Sequence, residues 1–276
     1  MAIFYYEFMR HAFVAGLIIG VVCPAVGLFI TLRRLSMIAD ALSHVCLSGV
    51  VAGLLMGTHP LITASAFSLS GAFLIEALRE KYKTYSELAI AIILSTGVAL
   101  GAILLGLGRG LNASFMSYLF GSIITVSRSD VYIVAAAGIL VLAVIRLFYK
   151  ELFLITFDEE GARIAGLPVR ALSVGFTAMT ALTIAISIRI VGLLLVSSLM
   201  ILPVAAALRL AASFRSAVIL SVVMGELAVV AGLFASFYFN LAPGGVIIMA
   251  SVLILISSIA YSAVKAPAGS RQLFSA

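Results

Sequence analysis

The sequence predicts an all-α integral membrane protein, a polytopic bundle of about nine transmembrane helices, with eight as the alternative. Of the 276 residues, 64% are hydrophobic and only 10% are charged, and the mean hydropathy is +1.28. Soluble domains carry about 25% charged residues. Apolar runs of about 20 residues match helices that cross a bilayer, whereas barrel strands are short and alternate. No segment is long and polar enough for a soluble domain, so residues 1–276 are expected to form one transmembrane domain.

Nine segments of the chain satisfy the length rule for a helical span. They are residues 12–32, 36–57, 60–79, 87–108, 129–149, 171–188, 190–209, 214–238 and 243–264. Eight spans remain possible because the second segment carries Asp40 and His44 and because only Arg189 separates the sixth segment from the seventh. Residues 109–128 are too polar for a span, so we expect them to form an interfacial or re-entrant helix on the outer side.

The basic residues predict the orientation of the bundle. With the N-terminus outside, thirteen of the 17 lysines and arginines fall on the inner side, and only Arg10, Arg109, Arg128 and Arg189 fall outside. Inner loops of membrane proteins are enriched in these residues. The net charge of +6 is therefore explained by orientation in the lipid bilayer, and no nucleic-acid partner is expected.

The second span carries two ionisable residues, Asp40 and His44, which are costly at membrane depth. They are four residues apart, about one helical turn, so both face the same way, and Ser36 and Ser48 extend the line. A carboxylate and an imidazole at this spacing can share a divalent cation such as zinc or manganese. Two alternatives are a buried Asp–His hydrogen bond that fixes helix packing and a proton relay. Two ligands are too few for a closed site, so a transit site would need water or a second copy.

Glycines recur on the second span at the spacing that lets membrane helices approach closely. Gly49, Gly53 and Gly57 follow the polar line. Small residues four apart are typical of packed helix interfaces in lipid. We expect the second span to be surrounded closely by other helices.

The stretch 158–168 is the one compact acidic cluster, and it lies between two spans on the predicted inner side. It reads Asp158-Glu159-Glu160-Gly161-Ala162-Arg163-Ile164-Ala165-Gly166-Leu167-Pro168. Glycine and proline end its short helix. Such a helix can dock into the groove of a partner protein, or it can be a solvated connector.

Three further ionisable residues are candidates for the same pathway. Glu226 lies in the middle of the eighth span, where it could neutralise a cation, pair with a basic side chain or sit protonated in a helix contact. His59 and His11 lie on the predicted outer face, where either could meet an incoming metal ion, although surface histidines often have no such role.

The chain lacks the motifs of the common nucleotide-hydrolysing and peptidase families. It contains no G-x-x-x-x-G-K phosphate-binding loop, no H-E-x-x-H pair and no nucleophile elbow. We therefore expect that this chain does not hydrolyse ATP and is not an enzyme.

Four stretches resemble the zinc/manganese/iron permease family of ATP-binding cassette (ABC) importers, and the resemblance covers about residues 10–264. Residues 33–44, RRLSMIADALSH, resemble its signature most specifically. Residues 160–166, EGARIAG, resemble the E-A-A-x-x-x-G coupling motif of bacterial ABC permeases, with Gly161 where alanine is usual. Residues 191–203 and 241–245 are also similar to this family.

The resemblance implies a type II importer fold, like that of cobalamin importers, in a multi-pass protein of the bacterial inner membrane. It implies a homodimer, a cytoplasmic ATPase dimer beneath it and an extracellular metal-binding protein above. It also implies a transport subunit without a permanently bound cofactor, with ATP hydrolysed on the partner subunit. The implied metal transit site is Asp40 and His44, with Glu226 and His59 as weaker candidates. The implied coupling residues, in a loop at about 150–170, are Glu159, Glu160, Gly161, Ala162 and Gly166.

The resemblance is closest to the zinc-uptake branch, and manganese and iron remain alternatives. Histidine suits zinc and oxygen-rich sites suit manganese, but zinc binds most such sites more tightly, so ligand type does not decide. Two other classes stay open. A siderophore- or cobalamin-type permease would share the coupling loop but lack the Asp–His pair. A secondary transporter or channel would need no ATPase and would show inverted repeats.

Overall fold

The computed structural model describes residues 5–82, 85–108, 112–122, 124, 126–188 and 190–265. Arg109 and Arg189, which the sequence analysis places on the outer side, lie outside this set. The described residues form twelve helices and no strand. The helices are α1 Glu7–Leu32, α2 Met37–Met56, α3 Pro60–Lys81, α4 Ser86–Leu107, α5 Asn112–Phe120, α6 Arg128–Leu147, α7 Tyr149–Phe157, α8 Glu159–Ile164, α9 Val169–Ser187, α10 Leu193–Leu208, α11 Phe214–Phe239 and α12 Pro243–Lys265.

Eight of these helices are long and apolar enough to cross a membrane, which confirms an all-helical polytopic bundle. They match eight of the nine predicted segments. The remaining segment, 190–209, is the apolar helix α10, which has only 16 residues. Its length of about 24 Å is less than the ~30 Å of a hydrocarbon core. The count of eight or nine therefore depends on whether α10 is counted as a span.

The connection between α9 and α10 explains why α10 is short. Ile190 and Val191 are buried, and Gly192 has a φ of +87°, a conformation that favours glycine. A Cβ atom on Gly121, after α5, would overlap the Ile190 carbonyl oxygen, and one on Gly244, in α12, would overlap that of Val191. Because α5 and α12 enclose the connection, its irregular backbone is covered by protein rather than by lipid.

The bundle has two groups of helices joined by α9 and α10. Helices α2, α3 and α4 pack on one another in the first group, and α1 packs against α11 in the second. Helices α1 and α11 run antiparallel, since Gly16 faces Leu233 while Gly225 faces Pro24. Helix α9 contacts both α3 and α1, and α10 contacts both α1 and α2. The core therefore runs continuously from α1 to α2 through α9 and α10.

The prediction that α2 is closely surrounded holds for two of its three glycines. A Cβ atom on Gly49 would lie 2.7 Å from the carbonyl oxygen of Thr63 in α3, and one on Gly53 would overlap the Thr63 hydroxyl. Gly57 serves another purpose. It ends α2 with a φ of +65° and has no neighbour within 4 Å of an added Cβ. It was expected to pack against another helix, but it forms the left-handed helix end.

Replacing Gly27 with alanine is expected to destabilise the bundle. A Cβ atom there would overlap the carbonyl of Met200 in α10, a backbone group that cannot move aside cheaply. We expect a loss of about 1–3 kcal/mol, the usual range for overpacking, seen as a lower unfolding temperature in detergent. Gly175→Ala in α9 is the control, because nothing lies within 4 Å of its added Cβ. Equal unfolding temperatures for the two variants would show that α1 and α10 are not in close contact.

Candidate metal pathway and coupling site

Asp40 and His44 lie on a strip of α2 that neighbouring helices leave partly uncovered. Both side chains are half-buried, as is Ser36 one turn earlier, whereas Ala41 and Leu42 between them are fully buried. Asp40 lies in the first turn of α2, and His44 lies about 10 Å along a helix of about 30 Å. The strip is therefore at the end of α2 that the sequence analysis places on the inner side.

The carboxylate and the imidazole have no partner of their own in the described part of the chain. Neither the Asp40 nor the His44 side chain makes a hydrogen bond or an ion pair there, so the alternative of an Asp–His hydrogen bond is not formed in this structure. The positive end of the helix dipole favours a carboxylate at Asp40. No group of three or more histidine, cysteine or acidic side chains converges as a metal site within the described residues. One copy of the chain thus offers two candidate ligands.

Ser48 does not continue the polar line, contrary to the expectation from its spacing. It is fully buried, and its hydroxyl donates a 2.7 Å hydrogen bond to the carbonyl oxygen of Gly97 in α4. Two steps of four residues rotate the side chain by about 80° from Asp40, which turns it toward α4. The open strip therefore contains Ser36, Asp40 and His44.

Ser48→Ala is expected to cost stability and leave metal uptake unchanged. The variant leaves the Gly97 carbonyl without this donor, and hydrogen bonds between membrane helices contribute about 0.5–1 kcal/mol. Unfolding in detergent and uptake in vesicles measure the two effects. Ser70→Ala is the control, because that hydroxyl is exposed and bonds within its own helix. Loss of uptake with normal stability would place Ser48 on the pathway instead.

The other pathway candidates lie away from the Asp40–His44 strip. His59 is exposed and precedes α3, at the opposite end of α2 from Asp40. His11 lies in α1, 4.0 Å from the carboxylate of Glu7. Glu226, in α11, faces Gly20 of α1 and borders an apolar crevice of about 350 Å³ between α1 and α6. The structure does not bring any of these three side chains to Asp40 or His44.

Helix α8 has six residues, and hydrogen bonds stabilise both of its ends. The Asp158 carboxylate accepts a 2.8 Å hydrogen bond from the backbone N–H of Gly161, as an N-cap residue does. Packing explains the glycine at position 161, because an added Cβ atom would overlap the Asp158 carboxylate. At the other end Gly166 has a φ of +79°, and its N–H and that of Leu167 bond back to Arg163 and Ala162. This pair of bonds is the Schellman motif.

The outward face of α8 combines charge with one apolar side chain. Ala162 is buried against Ile155 and Val169, which fixes the helix to α7 and α9. Ile164 is 88% exposed on the other side, and Glu160 is exposed without an ion pair among the described residues. The bundle therefore leaves one apolar and one charged side chain of α8 uncovered.

Glu159 differs from Glu160 because it forms ion pairs within the subunit. Its carboxylate lies 3.4 Å from the guanidinium of Arg163 and 3.8 Å from that of Arg33. Arg33 follows α1 and is almost fully buried, and its Nη2 donates a 2.9 Å hydrogen bond to the Ser173 hydroxyl in α9. Burial and the nearby Arg79 lower the pKa of Arg33, but arginine remains charged in proteins. A buried charge therefore links α1, α8 and α9.

A polar cluster at the same end of the bundle was not anticipated from the sequence. Glu76, near the end of α3, is buried and accepts hydrogen bonds from Thr177 in α9 at 2.6 Å and from Arg79 at 2.9 Å. It borders a cleft of about 830 Å³ together with Glu159 and Arg170. The three-residue spacing of Glu76 and Arg79 was the only available signal, and it does not distinguish a buried pair from a surface pair.

Comparison with known proteins identifies this fold as the permease subunit of an ABC importer for metal ions. A family model described as the ABC 3 transport family matches residues 5–262, and the chain belongs to this family. This match confirms the predicted family, and the relatives confirm a multi-pass bacterial membrane protein that is a transport subunit and not an enzyme.

Relatives that match nearly the full length of this chain are named for different metals. The chain is 39% identical to a probable metal transport system membrane protein of Treponema pallidum, covering 94% of this chain and 97% of that one. It is 34% identical to the manganese import system permease protein ScaB of Streptococcus gordonii, with coverage of 92% and 91%. It is 28% identical to the high-affinity zinc uptake system membrane protein ZnuB of Haemophilus influenzae, with coverage of 92% and 97%.

Solved structures support the type II importer architecture. PsaBC from Streptococcus pneumoniae, in complex with Fab, matches with a TM-score of 0.81 at 32% identity, over 92% of this chain and 91% of that one. An inward-facing putative metal-chelate type ABC transporter matches with a TM-score of 0.74 at 15% identity, over 94% and 86%, which shows a shared fold.

Proposed function

We propose that two copies of this subunit form a pathway for zinc, and that Asp40 and His44 of each copy bind the ion in transit. The observation that carries the proposal is the uncovered strip of α2, where a carboxylate and an imidazole have no partner within the described subunit. Unpaired ionisable groups in membrane helices are costly unless they meet a partner or an ion. Two aspartates and two histidines supply the four ligands that zinc prefers.

The site is expected to be a transit site rather than a storage site. A single copy provides two ligands, so the full set exists only when the two strips face each other. Separation of the two copies by a few ångströms would halve the ligand set and release the ion. Conduction requires this balance, because a site that binds too tightly does not let its ion leave.

The energy for this cycle comes, in this proposal, from ATP hydrolysis on a separate cytoplasmic subunit. The exposed Ile164 and the free Glu160 on α8 support docking of that ATPase, while the buried Ala162 keeps α8 fixed to the bundle. Closing and opening of the ATPase pair would then shift the permease between outward- and inward-open states. A metal-binding protein on the outer side would deliver the ion.

Manganese is the second candidate, and the relatives favour it. The relative named for manganese import is 34% identical, whereas the one named for zinc uptake is 28% identical. Zinc exceeds manganese in affinity for almost any such site, so a binding measurement on the permease alone does not separate the two. Transport must be measured instead.

The deciding experiment uses the permease reconstituted in vesicles with its ATPase and its metal-binding protein. We expect zinc-loaded binding protein to stimulate ATP hydrolysis and to drive zinc into the vesicles. Stimulation and uptake with manganese alone would overturn zinc and support the second candidate. Failure of both metals, with a complex that still hydrolyses ATP, would contradict the proposed metal pathway.

A further inference from the structure

Arg33 occupies an unusual position between the coupling helix and the helix that carries Asp40. Its guanidinium donates to Ser173 in α9 at 2.9 Å, lies 3.8 Å from the Glu159 carboxylate in α8, and sits 5.7 Å from the centre of the Phe176 ring. The side chain is only 7% exposed. One buried cation therefore contacts both α8 and α9.

The backbone connects Arg33 tightly to α2. Arg34 adopts a left-handed conformation with a φ of +58°, and the Leu35 N–H bonds back to the Ile30 carbonyl at 2.9 Å. Leu35 is buried, and its own carbonyl accepts a 2.9 Å bond from the Ile38 N–H in the first turn of α2. The turn between α1 and α2 is thus short and held by backbone hydrogen bonds, so we expect a displacement of Arg33 to reach the start of α2, where Asp40 lies.

Glu159 lies close to two arginines that differ in their exposure to solvent. Arg33 is buried, whereas the Arg163 side chain is 70% exposed, and both lie within 4 Å of the same carboxylate. When α8 moves relative to the bundle, Glu159 can keep Arg163, which is on its own helix, but must approach or leave Arg33. A buried cation that loses its carboxylate is strongly disfavoured, so Arg33 has to follow or find another partner.

We propose that Arg33 is the positioning residue that passes movement of α8 to the Asp40–His44 strip of α2. The inference rests on the proposed function, in which a partner ATPase moves α8. Glu76 also raises the pKa of Arg33, but it lies in α3, where it accepts hydrogen bonds from Thr177 and Arg79, so it does not move with α8. Arg33 binds neither metal nor nucleotide, and it acts through Glu159 and through the α1–α2 turn.

The test compares variants of the reconstituted complex by the metal transported for each ATP hydrolysed. For Arg33→Gln we expect this ratio to fall about fivefold or more, the lower end of coupling between protein sites. Glu159→Gln should lower the ratio in the same direction, and the double variant should be no worse than Arg33→Gln alone, because both changes break one link. Arg33→Lys, which keeps the charge, should restore part of the ratio. Arg209→Gln is the matched control, since Arg209 is exposed and has no ion pair among the described residues.

The outcomes separate this inference from the proposed function. An unchanged ratio in Arg33→Gln, or additive losses in the double variant, would overturn the role of Arg33 while the wild-type complex still transports metal. Absence of metal transport in the wild-type complex would instead overturn the proposed function. If the Arg33→Gln complex does not assemble, Glu159→Gln provides the test, because Glu159 is the more exposed residue of the pair. An unchanged ratio in Glu159→Gln would then contradict the role of the Arg33–Glu159 contact.

Discussion

Replacing Asp40 or His44 with alanine is expected to abolish metal uptake without loss of assembly. Removal of an outer partner of a metal ligand already costs about 10–100-fold in affinity, so removal of a ligand should lower uptake by about 100-fold or more. The reason for normal assembly is structural. Neither side chain makes a hydrogen bond or an ion pair within the described subunit, so its removal leaves no orphaned partner.

Stability distinguishes this prediction from a structural role. We expect the unfolding temperature of Asp40→Ala and His44→Ala to equal or exceed that of the wild type, because an unpaired ionisable group in a membrane helix is costly. Ser48→Ala, one turn further, should show the opposite pattern of lower stability and normal uptake. Uptake of zinc and of manganese is measured in vesicles, with ATPase co-purification as the assembly control. Normal uptake of both metals in both alanine variants would remove Asp40 and His44 from the pathway.

Reversing the charge of Glu160 is expected to detach the ATPase. Glu160 is exposed on α8 and has no ion pair in the described subunit, so its carboxylate is available to a partner. A like-charge contact at a docked surface costs several kcal/mol, which corresponds to a fall in association of about 100-fold or more. Co-purification of the ATPase with the Glu160→Arg permease measures this loss, and uptake should fall with it.

Two comparisons make the docking prediction specific. Glu87→Arg is the matched control, because Glu87 is also an exposed glutamate in the first turn of a helix at the predicted inner side. Both changes lose the same favourable interaction with a helix dipole, so only docking should differ. Ile164→Ser, which removes the apolar side chain from α8, should weaken co-purification as well. ATPase binding at wild-type level in Glu160→Arg and Ile164→Ser would place the docking surface elsewhere.

The two glutamates of the acidic loop show the limit of reading charge from sequence. Both were expected to act in coupling, and both lie on α8 as the sequence analysis requires. Their surroundings differ, since Glu159 pairs with Arg33 and Arg163 while Glu160 faces outward. Arg33 is 126 positions earlier in the chain, and nothing in the local pattern connects it with Glu159.

The sequence by itself determined the helical class, the positions of the apolar helices and the one-turn spacing of Asp40 and His44. These properties are local, because the length of an apolar run and the pitch of a helix do not depend on distant residues. Only the tertiary structure decided which faces are covered. Ser48 bonds to α4 and so lies outside the strip. Helices α5 and α12 cover the turn before α10, and Glu226 borders a separate crevice beside α1. Each of these outcomes depends on close approach between helices that are far apart in the chain, which hydropathy and spacing do not encode.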